Sequence, residues 1–346
     1  MRAVLILLII CVAGCTQPTP GVTVLTYASP FSPGHPFSRA DIAWMKWVEQ
    51  QAGGAIEIQP YWSGSLLSSE HSMHELRHGV ADIGLITPIY ARGGAHLIRA
   101  QSGFYGGLVT FEQQTALWRC MAAADPQFGR ELHDLKVLAV QGGNLPGIVT
   151  RDHPIRTLED LRGLRLRAPS ELLTVLKDLG ADPIDMPMGE VYSALAKGVL
   201  DGVVAPPDTL KSLHFAEVAK YFNTIKIPRG AYAARAISEH RWRSLTDEQR
   251  ALLDRSTEIW EKALAAELLV ANEVGFAAGR EHRVEFHDMP ADEQVKFDAL
   301  YERDGEARAR ALARFGIDGM PTYRLARSIA AQVTDDHGIR CHRDQT

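Results

Sequence analysis

Cysteine is scarce in this chain, with 4 residues in 346, and no Cys-x-x-Cys pair occurs among them. This scarcity argues against zinc-ribbon and thioredoxin-type sites, which need such pairs. His71, His74 and His78 have helical spacing and could bind a metal on one helix face. We interpret them as a solvent-exposed face, and we predict neither a metal site nor a cofactor.

Signatures of common enzymes and of nucleic-acid binding are also missing. The sequence has no Walker loop and no Gly-x-Ser-x-Gly elbow, which are typical of nucleotide hydrolysis and of serine hydrolases. The net charge is −5 and no basic patch carries interleaved aromatics, so nothing indicates a nucleic-acid partner. We predict that the chain is not an enzyme and binds no nucleic acid.

The N-terminal hydrophobic run, Ala3 to Val12, is too short to span a bilayer, which takes about 20 apolar residues. A positive charge precedes it and Val-Ala-Gly-Cys ends it, as in a secretory signal. That ending resembles the lipobox of bacterial lipoproteins, which implies cleavage before Cys15 and a lipid on its thiol. We expect residues 1–14 to be a lipoprotein signal peptide and residues 15–22 a tether. The alternative is a plain signal peptide with an incidental cysteine.

Two further cysteines, Cys120 and Cys341, remain after the predicted cleavage. Export would permit a disulfide between them. The sequence gives no distance, however, and Cys341 lies in a polar tail at residues 336–346. Their pairing therefore stays open, and we favour two free thiols.

Strand-like and helix-like segments alternate from Val22 onward. Val22–Ala28 and Ala55–Tyr61 have strand patterns, with a helix capped by Ser38 between them. The same order returns across residues 157–204. This alternation predicts an α/β fold with parallel sheets covered by helices on both faces.

Two short stretches repeat each other. Gly79-Val80-Ala81-Asp82 and Gly198-Val199-Leu200-Asp201 each lead from a predicted helix into a predicted strand. The glycine suits a left-handed helix stop, and we interpret each aspartate as a structural acceptor of backbone hydrogen bonds. The repeat indicates two lobes of similar construction.

Residues 244–282 keep helical spacing of their apolar positions, and Thr246 with Gln249 forms a capping box. A helix of this length spans roughly 50 Å, which suggests a beam that crosses two lobes. A second long helix is predicted from Pro290 through Leu312.

The strand at Leu164–Ala168 is the candidate binding strand. Its alternation places the leucines on one face and Arg165 and Arg167 on the other. Arg167 is nearer the carboxyl end, where open α/β sheets bind ligands, and Ser170 begins a helix whose free N–H groups attract anions. Arg167 can hold a carboxylate by two parallel hydrogen bonds, although spacing alone leaves a structural ion pair open.

Around this strand the chain resembles the solute-binding proteins of tripartite ATP-independent periplasmic (TRAP) transporters, of the DctP type. The strongest stretch is residues 157–169, TLEDLRGLRLRAP, and ordered matches continue through residue 202. The resemblance implies a two-lobed clamshell like the type II periplasmic binding proteins, with a long helix that bridges both lobes. It also implies that Arg167 pairs with the carboxylate of an organic anion.

The resemblance sets the expected lobes as well. Lobe I comprises residues 23–145 and about 228–262. Lobe II comprises residues 146–227 and about 263–335.

Two departures from the family pattern bear on the ligand. The region that carries a second arginine in many members is Gly142–Gly147 here, where Asn144 is the polar candidate and no arginine occurs. The place of a pocket asparagine is occupied by Ala205. The pocket is therefore expected to have fewer polar anchors.

Four aromatic residues, Phe31, Trp62, Tyr90 and Tyr232, are candidate ligand contacts. Asp208 could accept a hydrogen bond from a ligand hydroxyl or cap the helix that it begins, and we favour the cap. Together these features predict a monocarboxylate with an apolar or aromatic body.

The predicted function is capture of this acid outside the cytoplasm and delivery to TRAP permease subunits. The predicted location is the periplasm or cell envelope, with a lipid anchor to a membrane through Cys15. A ligand sensor for a membrane kinase and an enzyme on the same fold are the alternatives.

Overall fold

The computed structural model describes residues 21–333, 339 and 341. The predicted signal peptide, the lipid attachment at Cys15 and most of the tether and polar tail lie outside these residues. Within the described part of the chain, no helix combines the length and the apolarity that crossing a bilayer requires.

The described residues form eleven strands in two sheets. The strands are β1 Thr23–Ala28, β2 Ile56–Tyr61, β3 Ile83–Leu85, β4 Leu135–Gln141, β5 Gly147–Thr150, β6 Arg165–Arg167, β7 Asp182–Ile184, β8 Gly202–Ala205, β9 Tyr221–Asn223, β10 Tyr232–Ser238 and β11 Glu285–His287. The first sheet has the order β2-β1-β3-β10-β4 and the second β11-β9-β5-β8-β6-β7. We call the first sheet with its helices lobe I and the second lobe II.

Twelve α-helices cover the sheets in the described residues. They are α1 Pro36–Gln51, α2 Ser72–Arg77, α3 His96–Gln101, α4 Phe111–Ala124, α5 Gln127–Glu131, α6 Leu173–Asp178, α7 Met188–Ala196, α8 Thr209–Ser212, α9 Glu239–Ser244, α10 Asp247–Glu281, α11 Ala291–Ala311 and α12 Met320–Ala330. Strands β3, β5, β8 and β10 are buried along their whole length, because helices cover both faces of the sheets. The predicted α/β class is confirmed.

The short sequence repeat has the same structure in both lobes. Gly79 and its counterpart are left-handed, with φ of +74° and +70°. The Asp82 carboxylate accepts from the Thr26 backbone N–H at 2.8 Å, and Asp201 accepts from that of Arg165 at 2.9 Å. In each lobe the aspartate thus ties its own strand to a parallel neighbour, which confirms the predicted structural role.

Helix α10 bridges the lobes as predicted. It runs for 35 residues, and Ser256 in its first half accepts a hydrogen bond from the Trp44 indole of α1 at 2.8 Å. Near its other end, a Cβ at Gly275 would lie 2.1 Å from the Pro207 carbonyl oxygen of lobe II. Glycine therefore permits the close approach of helix and backbone.

The chain crosses between the sheets at residues 142–146 and 224–231, close to the predicted boundaries. The C-terminal end differs from the prediction. Helix α12 packs against α4 of lobe I and against α11, because Ala326 and Ile329 join the apolar cluster of that lobe. Residues 320–330 therefore belong with lobe I, whereas the sequence assigned them to lobe II.

The C-terminal segment is also held covalently. Cys120 in α4 and Cys341 form a disulfide across 221 positions of sequence, so the favoured prediction of free thiols is wrong. The polar composition around Cys341 hid this pairing. Both Ile339 and Cys341 pack against the apolar cluster that contains α4.

Two predicted helix caps also differ. Helix α1 begins at Pro36 with His35 as its N-cap, three positions before the predicted cap Ser38. The helix after β6 has Pro169 at its N-cap and no side-chain cap, so Ser170 does not cap it. Thr246 does cap α10, with the predicted Gln249 as its partner.

Candidate functional site

A cavity of about 90 Å³ lies between the lobes. Its lobe I wall includes Tyr90, Ser102 and Tyr232, and its lobe II wall includes Arg167 and Glu171. Much of the remaining lining is apolar: Ile89, Pro146, Leu172, Met188, Val204 and Pro206. Apolar walls with a few converging polar groups are the composition that is typical of a ligand site.

Arg167 is the central polar group of this cavity. Its side chain is 2% exposed, and it lies at the carboxyl end of β6, as predicted. The guanidinium donates from Nε to the Met186 carbonyl at 2.9 Å and from Nη2 to the Tyr90 hydroxyl at 2.8 Å. No carboxylate among the described residues lies within 4.0 Å of it. Arg167 is thus a buried cation with no carboxylate in direct contact among the described residues.

The two tyrosines have hydroxyl groups that already accept hydrogen bonds. Tyr90 accepts from Arg167, and Tyr232 accepts from the Gln141 amide at 2.9 Å. Burial raises the pKa of Tyr232 to about 12, so its proton is retained at neutral pH. Since a phenol can also donate one hydrogen bond, both hydroxyls keep a proton for a bound anion.

A second arginine, Arg229, also lines the cavity. It stands in the crossing segment before β10, and a Cβ at Gly143 would lie 2.5 Å from its guanidinium carbon. It forms no ion pair with any residue that the structure describes. The family pattern puts a second arginine in residues 142–147, where this sequence has none, so a pocket without a second arginine was expected. That expectation is wrong. Arg229 lies in the second crossing segment, residues 224–231, which packs against the first at Gly143.

A family model described as bacterial extracellular solute-binding protein, family 7 (DctP), matches residues 27–303. The chain belongs to this family. Family 7 consists of transport proteins rather than enzymes, in agreement with the predicted absence of catalysis.

Solved structures related to family 7 have the same fold. A TRAP solute-binding protein from Rhodoferax ferrireducens T118, in complex with copurified benzoate, gives a TM-score of 0.81 at 23% identity and covers 90% of this chain and 98% of that chain. One from Chromohalobacter salexigens with bound D-glucuronate gives 0.72 at 18% identity, over 87% and 99% of the two chains.

A curated relative is more similar in sequence over a shorter stretch. A solute-binding protein of Albidiferax ferrireducens is 28% identical over 190 residues. The alignment covers 54% of this chain and 54% of the relative, so the chain spans about half the length of that protein.

In this family 7 member, Asn144 and Asp208 lie beside the cavity lining rather than in it. The Asn144 amide donates to the Leu268 carbonyl of α10 at 3.0 Å and to the Asp208 carboxylate at 3.4 Å. Asp208 is the N-cap residue of α8, as predicted, but its side chain makes no cap hydrogen bond. Its carboxylate also lies 3.4 Å from the Ser212 hydroxyl. These contacts connect the crossing segment to α8 and α10.

The other predicted contacts lie farther away. Phe31 stacks on His35, with ring centres 4.1 Å apart, and Trp62 lies 5.6 Å from the Tyr27 ring. Both pack against a second apolar cluster of lobe I, which contains Tyr27 and Trp44, and burial lowers the pKa of His35 to about 3. Ser170 faces a separate surface cleft. Only Arg167, Tyr90 and Tyr232 of the predicted set line the cavity.

Sequence reasoning wrongly took the His-Glu-x-x-His zinc pattern to be absent: residues 74–78, HELRH, match it. In the structure the Glu75 carboxylate accepts from Ser68, and the His74 and His78 rings stack 4.1 Å apart. Among the described residues, no three potential ligands are grouped to hold a metal ion.

Sequence reasoning missed Arg229 and Glu171. Arg229 stands between Pro228 and Gly230, and a charged residue within such a short Pro/Gly segment is a usable signal once a chain crossing is expected there. Glu171 follows the predicted binding strand by three positions, in the first turn of the next helical segment. The sequence prediction selected its neighbour Ser170 instead.

Proposed function

We propose that this TRAP solute-binding protein captures a monocarboxylate with an apolar or aromatic body and delivers it to the membrane permease. The observation that carries the proposal is the buried Arg167 with no carboxylate in direct contact. A buried ion is costly unless it is paired and hydrogen-bonded. A ligand carboxylate would supply the missing charge, with the hydroxyls of Tyr90 and Tyr232 as further donors.

The apolar lining supports the kind of acid proposed. Ile89, Leu172, Met188 and Val204 offer no hydrogen bonds to a polyhydroxylated body, and burying unpaired hydroxyls against them would be unfavourable. The solved relatives hold benzoate in one case and D-glucuronate in the other. The fold therefore suits both kinds of acid, and the lining favours the first for this chain.

Ligand binding would couple to closure of the lobes. Arg167 belongs to lobe II, and the tyrosines belong to lobe I. A carboxylate that contacts both sides has higher affinity for the closed form, and it shifts the population towards that form. The crossings at residues 142–146 and 224–231 are the proposed hinges. The permease would then recognise the closed protein.

The proposal includes an anchored location in the periplasm or cell envelope, with Cys15 as the site of lipidation. Several acyl chains on one residue would give stable attachment, whereas one chain is marginal. Mass spectrometry of the membrane fraction tests this: the mature chain should begin at a lipid-modified Cys15, and Cys15→Ser should release it.

A dicarboxylate is the second candidate ligand, because Arg229 gives the cavity a second cation. The buried carboxyl of Glu171 on the lobe II wall offsets one of the two positive charges, which favours a single ligand carboxylate. Succinate binding tighter than benzoate binding by the wild-type chain would support the dicarboxylate instead.

Isothermal titration with benzoate, succinate and glucuronate tests the proposal in wild type, Arg167→Met and Arg165→Met. Arg165 is the matched control, since it lies two residues earlier and pairs with Asp201 at 2.8 Å. Charge-assisted hydrogen bonds are worth roughly 1.5–3 kcal/mol each, so Arg167→Met should weaken benzoate at least ~100-fold while Arg165→Met changes it by less than ~3-fold. Equal effects of both variants would contradict the assignment.

A further inference from the structure

Helix α11 passes from one lobe to the other beside the ligand cavity. Its first half packs into an apolar cluster of lobe II through Phe297 and Tyr301. Ala309 near its end, and Leu312 just after it, pack into the apolar cluster of lobe I that contains α4. The helix contacts α6 of lobe II and α3 of lobe I. It is therefore a second helix between the lobes, besides α10.

At the crossing point α11 lies directly against the backbone of lobe I. A Cβ at Gly305 would lie 2.7 Å from the Gly103 carbonyl oxygen, so a larger residue would push the helix away. Gly103 follows Ser102, which belongs to the lobe I wall of the cavity. The position of this wall is therefore tied to the position of α11.

Tyr301 connects lobe II to the lobe I wall. Its ring is buried in the lobe II cluster, and its hydroxyl donates to the Ser102 carbonyl at 3.1 Å. Burial raises the pKa of Tyr301, so the hydroxyl keeps the proton that it donates. Because donor and acceptor belong to different lobes, rotation of the lobes about their crossings would break this hydrogen bond.

Arg308 makes the reverse connection. It precedes Ala309 of the lobe I cluster, and its Nη2 donates to the Glu171 carbonyl in the lobe II wall at 3.0 Å. The same nitrogen bonds to Asp304, one turn earlier in α11, at 2.7 Å. Burial raises the pKa of the Glu171 carboxyl, and the charge of Arg308 opposes that rise. Arg308 thus acts on both the main chain and the carboxyl of this wall residue.

We propose that α11 is a strut that positions both walls of the ligand cavity, with Tyr301 and Arg308 as its positioning residues. Neither residue lines the cavity, so each acts through a wall residue, Ser102 or Glu171, and not on the ligand. This inference rests on the proposed function and adds the contacts that hold the closed form. A hydrogen bond made only in the closed form raises the population of that form, and it lowers the apparent Kd by the same factor for every ligand.

The experiment is titration calorimetry of the mature chain with benzoate, succinate and glucuronate. Tyr301→Phe keeps the ring and removes only the hydroxyl, so it should weaken each acid that binds by the same factor of ~3–10. Arg308→Met should weaken binding at least ~10-fold, because its donor is charged. Arg308→Lys keeps a charged donor and should recover part of that loss. Stopped-flow measurements should show these losses mainly as faster release of the acid.

Two variants on the same helix interface are matched controls. Tyr323→Phe removes a hydrogen bond of the same length, 3.1 Å, from a tyrosine hydroxyl to the Glu302 carbonyl of α11, but this bond joins α11 to α12 and not to a cavity wall. Arg310→Met removes an ion pair with Glu306 that has the same i,i+4 spacing as the pair of Arg308. Both controls should leave the affinity within ~3-fold of wild type.

Urea unfolding of the ligand-free protein separates a positioning role from a merely structural one. The two hydrogen bonds contribute to the closed form, so Tyr301→Phe should keep the unfolding midpoint close to that of wild type while its affinity falls. A lowered midpoint with unchanged affinity would overturn the inference, and so would equal losses of affinity for Tyr301→Phe and Tyr323→Phe. Tyr301→Phe decides the matter if Arg308→Met fails to fold.

Failure of the proposed function would be visible separately. If wild type binds none of the three acids, the proposed capture of an organic acid is wrong, whatever the variants do. If wild type binds one of them and Tyr301→Phe binds it equally well, only the role of α11 is wrong.

Discussion

Two arginines of this protein are almost equally buried and are held in opposite ways. Arg235 in lobe I is 3% exposed, and the Asp41 carboxylate lies 2.6 Å from it. Its guanidinium also lies 4.4 Å from the centre of the Trp260 ring. Arg167 in lobe II is 2% exposed and has only neutral oxygens as partners among the described residues. The lobes thus contain one completed ion pair and one incomplete one.

The difference separates a structural charge from a binding charge. In lobe I, Asp41 also accepts from the Trp260 indole at 2.7 Å, so the pair connects α1, β10 and α10. Nothing in this network faces the cavity. In lobe II the counter-ion is left to a ligand, and the free energy of pairing becomes available for binding. Burial alone would not have distinguished the two arginines.

The largest loss of stability is expected when the Arg235–Asp41 ion pair loses its carboxylate. Asp41→Ala leaves Arg235 buried without a counter-ion, which should lower the free energy of unfolding by about 3–5 kcal/mol. Asp185→Ala is the control, because that side chain is 32% exposed and lies 3.9 Å from Arg99; it should cost less than ~1 kcal/mol. Urea unfolding of the ligand-free protein measures both, and similar losses would contradict the contrast.

Removal of the Arg235 cation should lower the free energy of unfolding by a smaller amount, and this loss should depend on pH. Arg235→Met leaves Asp41, whose pKa burial already raises, free to take up a proton, so the loss should be roughly 2–3 kcal/mol at pH 7. A carboxyl whose pKa is higher in the folded than in the unfolded state binds more protons when folded. The variant should therefore recover stability as the pH falls towards 5. A loss that is constant from pH 8 to pH 5 would show that Asp41 stays ionised.

The sequence predicted what local pattern determines. Strand alternation and position placed Arg167 at the binding edge, and a capping box with apolar spacing located α10. Both features depend on neighbours within a few residues, where propensity and periodicity are informative.

What the sequence missed depends on long-range packing. Arg229 reaches the cavity only because one crossing segment packs against the other at Gly143. The Cys120–Cys341 bond joins residues 221 positions apart, and no local pattern predicts such a distance. The same holds for Glu171: its position four residues after Arg167 was visible in the sequence, whereas its place in the cavity lining is a property of the folded chain.

A third arginine provides a solvent-exposed comparison. Arg165, whose side chain is 43% exposed, pairs with Asp201, and hydrogen bonds from the Arg165 guanidinium and backbone N–H hold the pKa of Asp201 below its ordinary value. Asp201→Asn should cost ~1 kcal/mol at pH 7. Because the folded-state pKa is the lower one, this contribution is present above the unfolded-state pKa of about 3.9 and is lost as the pH falls through the folded-state value.

The penalties of Asp201→Asn and Arg235→Met should therefore both shrink at low pH, for opposite reasons. In the first case the wild-type carboxylate loses its contribution, and in the second the variant's Asp41 takes up a proton. Asp82→Asn in lobe I removes the equivalent carboxylate charge and is the matched variant for neutral pH. A penalty for Asp201→Asn that persists at pH 2 would mean that the carboxylate charge is not its source.

The smallest change in the free energy of unfolding is expected for Arg167→Met, and this change is the most informative. In the ligand-free protein, Arg167→Met removes a buried charge that has no carboxylate in contact, which favours folding. It also removes two hydrogen bonds to half-buried groups that water can solvate, which disfavours folding. The net change in the free energy of unfolding should lie within ~1 kcal/mol of zero. The same substitution should abolish stabilisation by saturating ligand, worth about 2.7 kcal/mol at one hundred times Kd. A ligand-free loss as large as that of Asp41→Ala would mean that Arg167 is structural, since only a charge reserved for a ligand can be removed without cost to the empty protein.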